Sequence, residues 1–154
     1  MQAKHISIFI FGLLFTACNQ NNKKSLKNYM IGNWETTNIN IKMITVNKTD
    51  STSVFEDNFS KPNVARAQSS YKKDGTFSAW FKQYDGKKTD ETNGKWTTKN
   101  DSLYIDYIYL GKQVRASYKI TKIKNGFKGK SLYDWDNDGE FDDTLIMNTK
   151  RIKL

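Results

Sequence analysis

Between Asp134 and Asp143 the chain reads Asp-Trp-Asp-Asn-Asp-Gly-Glu-Phe-Asp-Asp, the densest run of acid in a sequence whose formal charge is +9. Asp134, Asp136 and Asp138 alternate towards Gly139, a residue that lets the backbone turn sharply. The Glu140 backbone carbonyl and the Asp142 carboxylate follow. Oxygen donors in this order suit calcium, which takes about six to eight hard oxygen ligands. Carboxylates crowded into one turn repel one another unless a cation neutralises them. Asp, Asn and Gly also favour tight hydrated turns for conformational reasons alone. The loop therefore has two readings, a calcium site or a hydrated hairpin turn.

Other chemistry is excluded by what the chain lacks. Its one histidine, His5, and its one cysteine, Cys18, both fall within the first eighteen residues. The remainder has no imidazole and no thiol, so it cannot build Ser-His-Asp or Cys-His nucleophiles or a histidine zinc site. Paired carboxylates can cleave glycosides without histidine, but no acid pair falls on facing strands by sequence. The expectation is a binding or structural protein, not an enzyme.

The first eighteen residues form a unit of their own. Met1 to His5 is short and basic, Ile6 to Phe15 is apolar apart from Ser7 and Gly12, and Thr16-Ala17 puts small residues before Cys18. An apolar run of about ten residues is too short to span roughly 30 Å of hydrocarbon. The arrangement resembles a bacterial lipoprotein signal ending in Ala-Cys, with Phe15 where leucine is usual. That resemblance implies a signal peptide over 1–17 and a membrane anchor through lipidated Cys18. It also implies a cell-envelope location, with the outer membrane facing the periplasm favoured because Asn19 to Lys23 carries no acid. Cleavage removes 17 of the 154 residues and leaves 137, enough for one domain with a real core. Loss of Lys4 leaves 24 basic and 16 acidic residues, a charge of +8. The lysines are dispersed among acids, as on a solvated surface, and an exported anchored protein is not expected to bind nucleic acid.

Residues 18–25 are polar and read as a tether to a domain over 26–154. Leu26 to Ile31 suits one helical turn, with Leu26, Tyr29 and Met30 on one side. Beyond Gly32 the period becomes two. Asn38 to Val46 sets Ile39, Ile41, Met43 and Thr45 on one face of a strand. Asn47 to Ala67 has no sustained period and holds the only proline, Pro62, so it reads as a long excursion with room for a short helix. Strands are then expected at 69–73, 76–84, 94–99, 102–110, 113–124, 127–134 and 144–153. Asp74-Gly75, Asp85-Gly86, Asn100-Asp101, Gly111 and Asn125-Gly126 punctuate them. About eight strands joined by short turns predict an all-β, antiparallel up-and-down barrel or sandwich.

Gly32-Asn33-Trp34, directly after the helical turn, resembles the Gly-x-Trp start of lipocalins and of the lipocalin-like domains of Bacteroidota lipoproteins. The resemblance implies an eight-stranded barrel plugged at one end by Trp34, with Arg151 of the last strand across the indole. It also implies a small apolar or amphipathic ligand, held by inward side chains near the open end. Candidates are Trp80, Phe81, Tyr84, Trp96, Tyr104, Tyr107, Tyr109 and Tyr118, all expected on strands; about half must point outward. Eight strands enclose either a filled interior or room for one small ligand. A filled barrel would instead suit an envelope scaffold or accessory interaction protein. The acidic loop resembles the DxDxDGxxD loops of integrin-type propeller repeats. It lacks the closing glutamate of an EF-hand, since position 12 is Leu145.

Overall fold

The computed structural model describes residues 25–44, 49, 51–109 and 111–153. The signal segment, Cys18 and the tether as far as Lys24 lie outside the described residues, as do Thr45 and Val46. Among the described residues no helix is long and apolar enough to cross a membrane.

Among the described residues one short helix, α1 (Leu26–Met30), precedes nine strands: β1 (Gly32–Ile44), β2 (Thr52–Asp57), β3 (Arg66–Tyr71), β4 (Thr76–Lys82), β5 (Lys88–Lys99), β6 (Ser102–Tyr109), β7 (Lys112–Ile123), β8 (Gly126–Tyr133) and β9 (Asp143–Ile152). All pairings are antiparallel, and β9 returns to pair with β1 from Asn33 opposite Ile152 to Lys42 opposite Thr144. The sheet thereby closes into a barrel of eight strands, β1 and β3 to β9, with β2 as an extra strand. Closure removes the edges that an open sheet exposes, except along β2, which pairs with β1 alone.

The expected excursion at 47–67 contains one whole strand, β2, and the start of another, β3. β2 pairs with the far half of β1, Ile39 to Ile44, while β3 pairs with the near half, Gly32 to Glu35. Ile39 faces Asp57 and Glu35 faces Gln68, so four steps along β1 are matched by eleven along its partner. Residues 58–65 are thus an insertion in an otherwise continuous strand. Sequence periodicity missed β2 because most of its side chains are exposed on both faces, so burial imposes no alternation. β5 is likewise longer than expected. It starts at Lys88, because polar Thr89 to Asn93 continue the pairing around a bulge near Asp90, whose φ is +51°.

One end of the barrel is sealed. Met30, Trp34, Tyr71, Phe77, Trp96, Leu103, Ile105, Ile120 and Phe127 form a single buried cluster there. Trp34 is 1% exposed, meets Phe127 edge-on at 4.9 Å and donates its indole N–H to the Met30 carbonyl at 2.8 Å. The Arg151 guanidinium lies 4.0 Å from the Trp34 ring centre and donates to the carbonyls of Ile31 and Tyr29. Glycine at position 32 follows from this packing. Its φ is +130°, and a Cβ there would stand 2.4 Å from an Arg151 nitrogen.

Candidate functional site

Strand alternation places the interior residues, and above the sealed cluster they stop filling the barrel. A cavity of about 390 Å³ opens towards the end that carries the β4–β5, β6–β7 and β8–β9 connections. Ala79, Tyr107, Tyr118 and Met147 pack on the core cluster below and line the cavity above, so they are its floor. Ile39, Phe81, Val114, Tyr133 and Leu145 form the walls, and Trp135 stands at the rim. Gly129 sits behind the floor, where a Cβ would meet Met147 at 3.1 Å and Tyr118 at 3.5 Å. Small side chains at 79, 116 and 129 keep this volume open beneath large aromatic ones.

The cavity is apolar with a few phenols. Tyr107, Tyr118 and Tyr133 line it, and none of their hydroxyls bonds to another side chain or carbonyl among the described residues. Burial pushes the Tyr118 and Tyr107 phenols above their ordinary range, and their mutual proximity adds to it for Tyr118. Neutral hydroxyls over an apolar floor suit an amphipathic guest with one polar group. A second depression, on the outer face of β5 to β7 between Lys95, Tyr104 and Arg115, is open to solvent and crossed by the Asp106–Arg115 ion pair at 3.4 Å.

The aromatic candidates divide by parity. Phe81, Tyr107, Tyr109 and Tyr118 line the cavity, and Trp96 is in the core beneath, donating to the Lys72 carbonyl at 2.9 Å. Tyr104 faces outward. Tyr84 is not on a strand but in the β4–β5 turn, where it is 77% exposed. Trp80 has the opposite parity, yet it is buried and borders the cavity, and its indole N–H reaches the Gln68 side chain at 3.0 Å. Gln68 in turn donates to Glu35 at 2.7 Å, and Lys150 pairs with Glu35 at 2.9 Å. Burial alone would raise the Glu35 carboxyl. The bonds from Lys150 and Gln68, with the charges of Lys150 and Arg66, outweigh it and hold the group below its ordinary value. Nothing in the sequence signalled this network, because it joins residues of β1, β3, β4 and β9 that only the register brings together.

The acidic loop joins β8 to β9 at the open end. One oxygen from each of Asp134, Asp136 and Asp138 falls within 4.8 Å of the others; the Glu140 and Asp142 carboxylates are not part of this group. Asp134 accepts the N–H groups of Asp138 and Gly139, both at 3.1 Å, and Asp138 accepts that of Glu140 at 2.7 Å. One oxygen each of Asp136 and Asp138 is buried without a donor. The Asp136 carboxyl is held above its ordinary value by loss of hydration and by the charges of Asp138, Asp143 and Asp134, against a bond from the Asp138 N–H. Three convergent carboxylates with two undonated oxygens fit a hard cation, although they supply fewer ligands than calcium takes in full. Sequence reasoning missed the residue that shapes the loop. Asp143 is wholly buried and accepts N–H groups from Ile44 at 3.0 Å, Trp135 at 2.7 Å and Asp136 at 3.3 Å.

Comparison with family models, with curated proteins and with solved structures finds no match to this chain. Its closed eight-stranded antiparallel barrel is consistent with a lipocalin-like fold.

Proposed function

We propose that this chain is a lipid-anchored binding protein of the bacterial envelope whose lipocalin-like barrel holds a small apolar or amphipathic ligand. The cavity of about 390 Å³ carries this reading, being walled by Ile39, Phe81, Leu145 and Met147 and furnished with tyrosine hydroxyls. The anchor rests on the likeness of residues 1–18 to a bacterial lipoprotein signal, and the periplasm-facing outer-membrane location on the absence of acid from Asn19 to Lys23. Calcium at Asp134, Asp136 and Asp138 would brace the loop beside the cavity mouth, and the two undonated carboxylate oxygens support it.

A scaffold or accessory interaction role has one observation of its own. Phe55, Ile108, Tyr109, Trp135 and Phe141 leave apolar surface exposed at the open end. The neutral apolar dye N-phenyl-1-naphthylamine separates the two readings when titrated into a chain spanning Asn19 to Leu154. Saturable fluorescence at one site, lost in Ala116→Phe, is expected of a ligand barrel. Fluorescence unchanged in Ala116→Phe would put the dye on the exposed crown and favour the scaffold. Detergent-phase partitioning that disappears in Cys18→Ala tests the anchor separately.

A further inference from the structure

The insertion at 58–65 builds a second concavity, outside the barrel. This groove has a volume of about 510 Å³, with Glu35, Arg66, Lys82 and Lys150 on its strand side and Ser60 and Lys61 on the inserted segment. Its charges are arranged against stability. Arg66 pairs directly with Lys82 across β3 and β4, and Lys82 pairs directly with Lys88 across β4 and β5. Like charges directly opposite on a sheet are destabilising. Among the described residues, no acid comes within ion-pairing distance of Arg66, Lys82 or Lys61. Glu35 is the one acid in the groove, and both its oxygens are engaged by Lys150 and Gln68. Lys88 is held 3.8 Å over the Trp80 ring, which fixes one end of the row.

We infer that this groove is an anion site for a sulfated, phosphorylated or carboxylated sugar, distinct from the barrel cavity. An arginine in such a row offers a planar fork that matches these oxyanions. The lining is mostly polar, with Asn58, Ser60 and Asn63 lining the groove alongside the cations and only Pro62 and Val64 apolar among its insertion residues. That lining takes hydroxyls and not an acyl chain. The exposed ring of Tyr84 at the rim offers a flat apolar face against which a sugar ring packs. A lipid headgroup layer is planar, whereas this site is a recess in the side of the barrel wall.

The test uses a chain from Asn19 to Leu154, since the barrel closes on itself within residues 25–153. A sulfated, uronate-containing disaccharide from heparin is titrated by calorimetry, with cellobiose and inorganic sulfate as uncharged and point-charge controls. Binding should weaken at least tenfold in Arg66→Gln/Lys82→Gln and change less than twofold in Lys72→Gln/Lys73→Gln, which removes the same charge from the β3–β4 turn. The first variant should also melt no lower than wild type at low salt, because the repulsion has gone. Equal weakening in both variants would reduce the effect to net charge and overturn the site. Disaccharide binding no tighter than that of cellobiose or sulfate would overturn it too. Capture of anionic phospholipid vesicles through Arg66 and Lys82 without disaccharide binding would replace the sugar by a membrane surface and refute the proposal.

Discussion

The two ends of this barrel use the same kinds of residue to opposite effect. At the sealed end most large polar groups near the core are bonded locally: Trp34 bonds to Met30, Trp96 to Lys72, Tyr29 to Gly126 and Arg151 to two carbonyls. At the open end Tyr107, Tyr118 and Tyr133 surround space, and Asp136 and Asp138 keep undonated oxygens. An aromatic ring stabilises a fold when its polar tip is satisfied locally and its faces are covered. The same ring with an idle hydroxyl beside a void has binding capacity left over. The difference teaches that satisfaction of polar groups, more than aromatic content, separates the structural half from the half available to a ligand.

The sharpest way to break this contrast is at the sealed end. Trp34→Ala should cost about 3–5 kcal/mol, the range for a buried large aromatic. Arg151→Ala should cost distinctly less, about 0.5–2 kcal/mol for its place over the indole. Chemical denaturation midpoints read both, and a midpoint that barely moves for Trp34→Ala would dissolve the distinction between the ends.

Asp143 comes next, as the one residue that gives the open end a sealed-end character. Asp143→Ala strands the N–H groups of Ile44, Trp135 and Asp136, three partly buried donors, and leaving them unmade costs about 1–3 kcal/mol. Amide exchange should rise locally over residues 134–143; protection equal to wild type would mean that the loop is held by other contacts.

Calcium would transfer the acidic loop from the unsatisfied class to the satisfied one. At tenfold excess over Kd a native-state ligand adds about 1.4 kcal/mol, a shift of several degrees in Tm for a domain of this size. Circular dichroism melts with calcium, and with magnesium as control, should show that shift in wild type and lose it in Asp136→Asn/Asp138→Asn. Flat melts up to several millimolar calcium would leave a hydrated turn.

The smallest effect is absent at neutral pH and appears only in alkali. Burial raises the phenols of Tyr71 and Tyr118 above their ordinary value of 10.0, so the native state keeps protons that the unfolded chain releases. Their contribution is therefore complete below pH 10.0 and declines as pH climbs from there towards the native values. Melting temperature followed from pH 8 to 12 should fall more steeply in wild type than in Tyr71→Phe/Tyr118→Phe, and parallel curves would contradict that burial.

Much of the strand order beneath this contrast was legible in the sequence, though not which interior positions are open. The turn residues are explicit: Gly75, Gly86 and Gly111 adopt positive φ, as do Asn100 and Asn125, where the sequence marked its turns. Alternation over Leu103 to Tyr109 and Val114 to Ile120 marked strands because one face of each is buried. What stayed hidden was whatever a single strand cannot encode. Trp80 and Trp96 look alike in sequence, and only the register separates the tryptophan of the core cluster from the one bonded to Gln68. β2 was hidden because its exposed faces leave no pattern to read, and Asp143 because it ends a run of acids that all resemble ligands.

The pairing of β1 with β9 has a kinetic consequence. A hydrogen bond such as that from Thr37 to the Asn148 carbonyl spans 111 positions, and the Arg151 bond to Ile31 spans 120. Contacts this distant are slow to form, since loop-closure entropy is spent before they return anything. Until β9 arrives, β1 has an unpaired edge and Trp34 lacks the guanidinium that covers it. Under the proposed export, N-terminus first across the inner membrane, the barrel would not be complete until its last strand had crossed, which would keep the chain threadable for as long as transport requires.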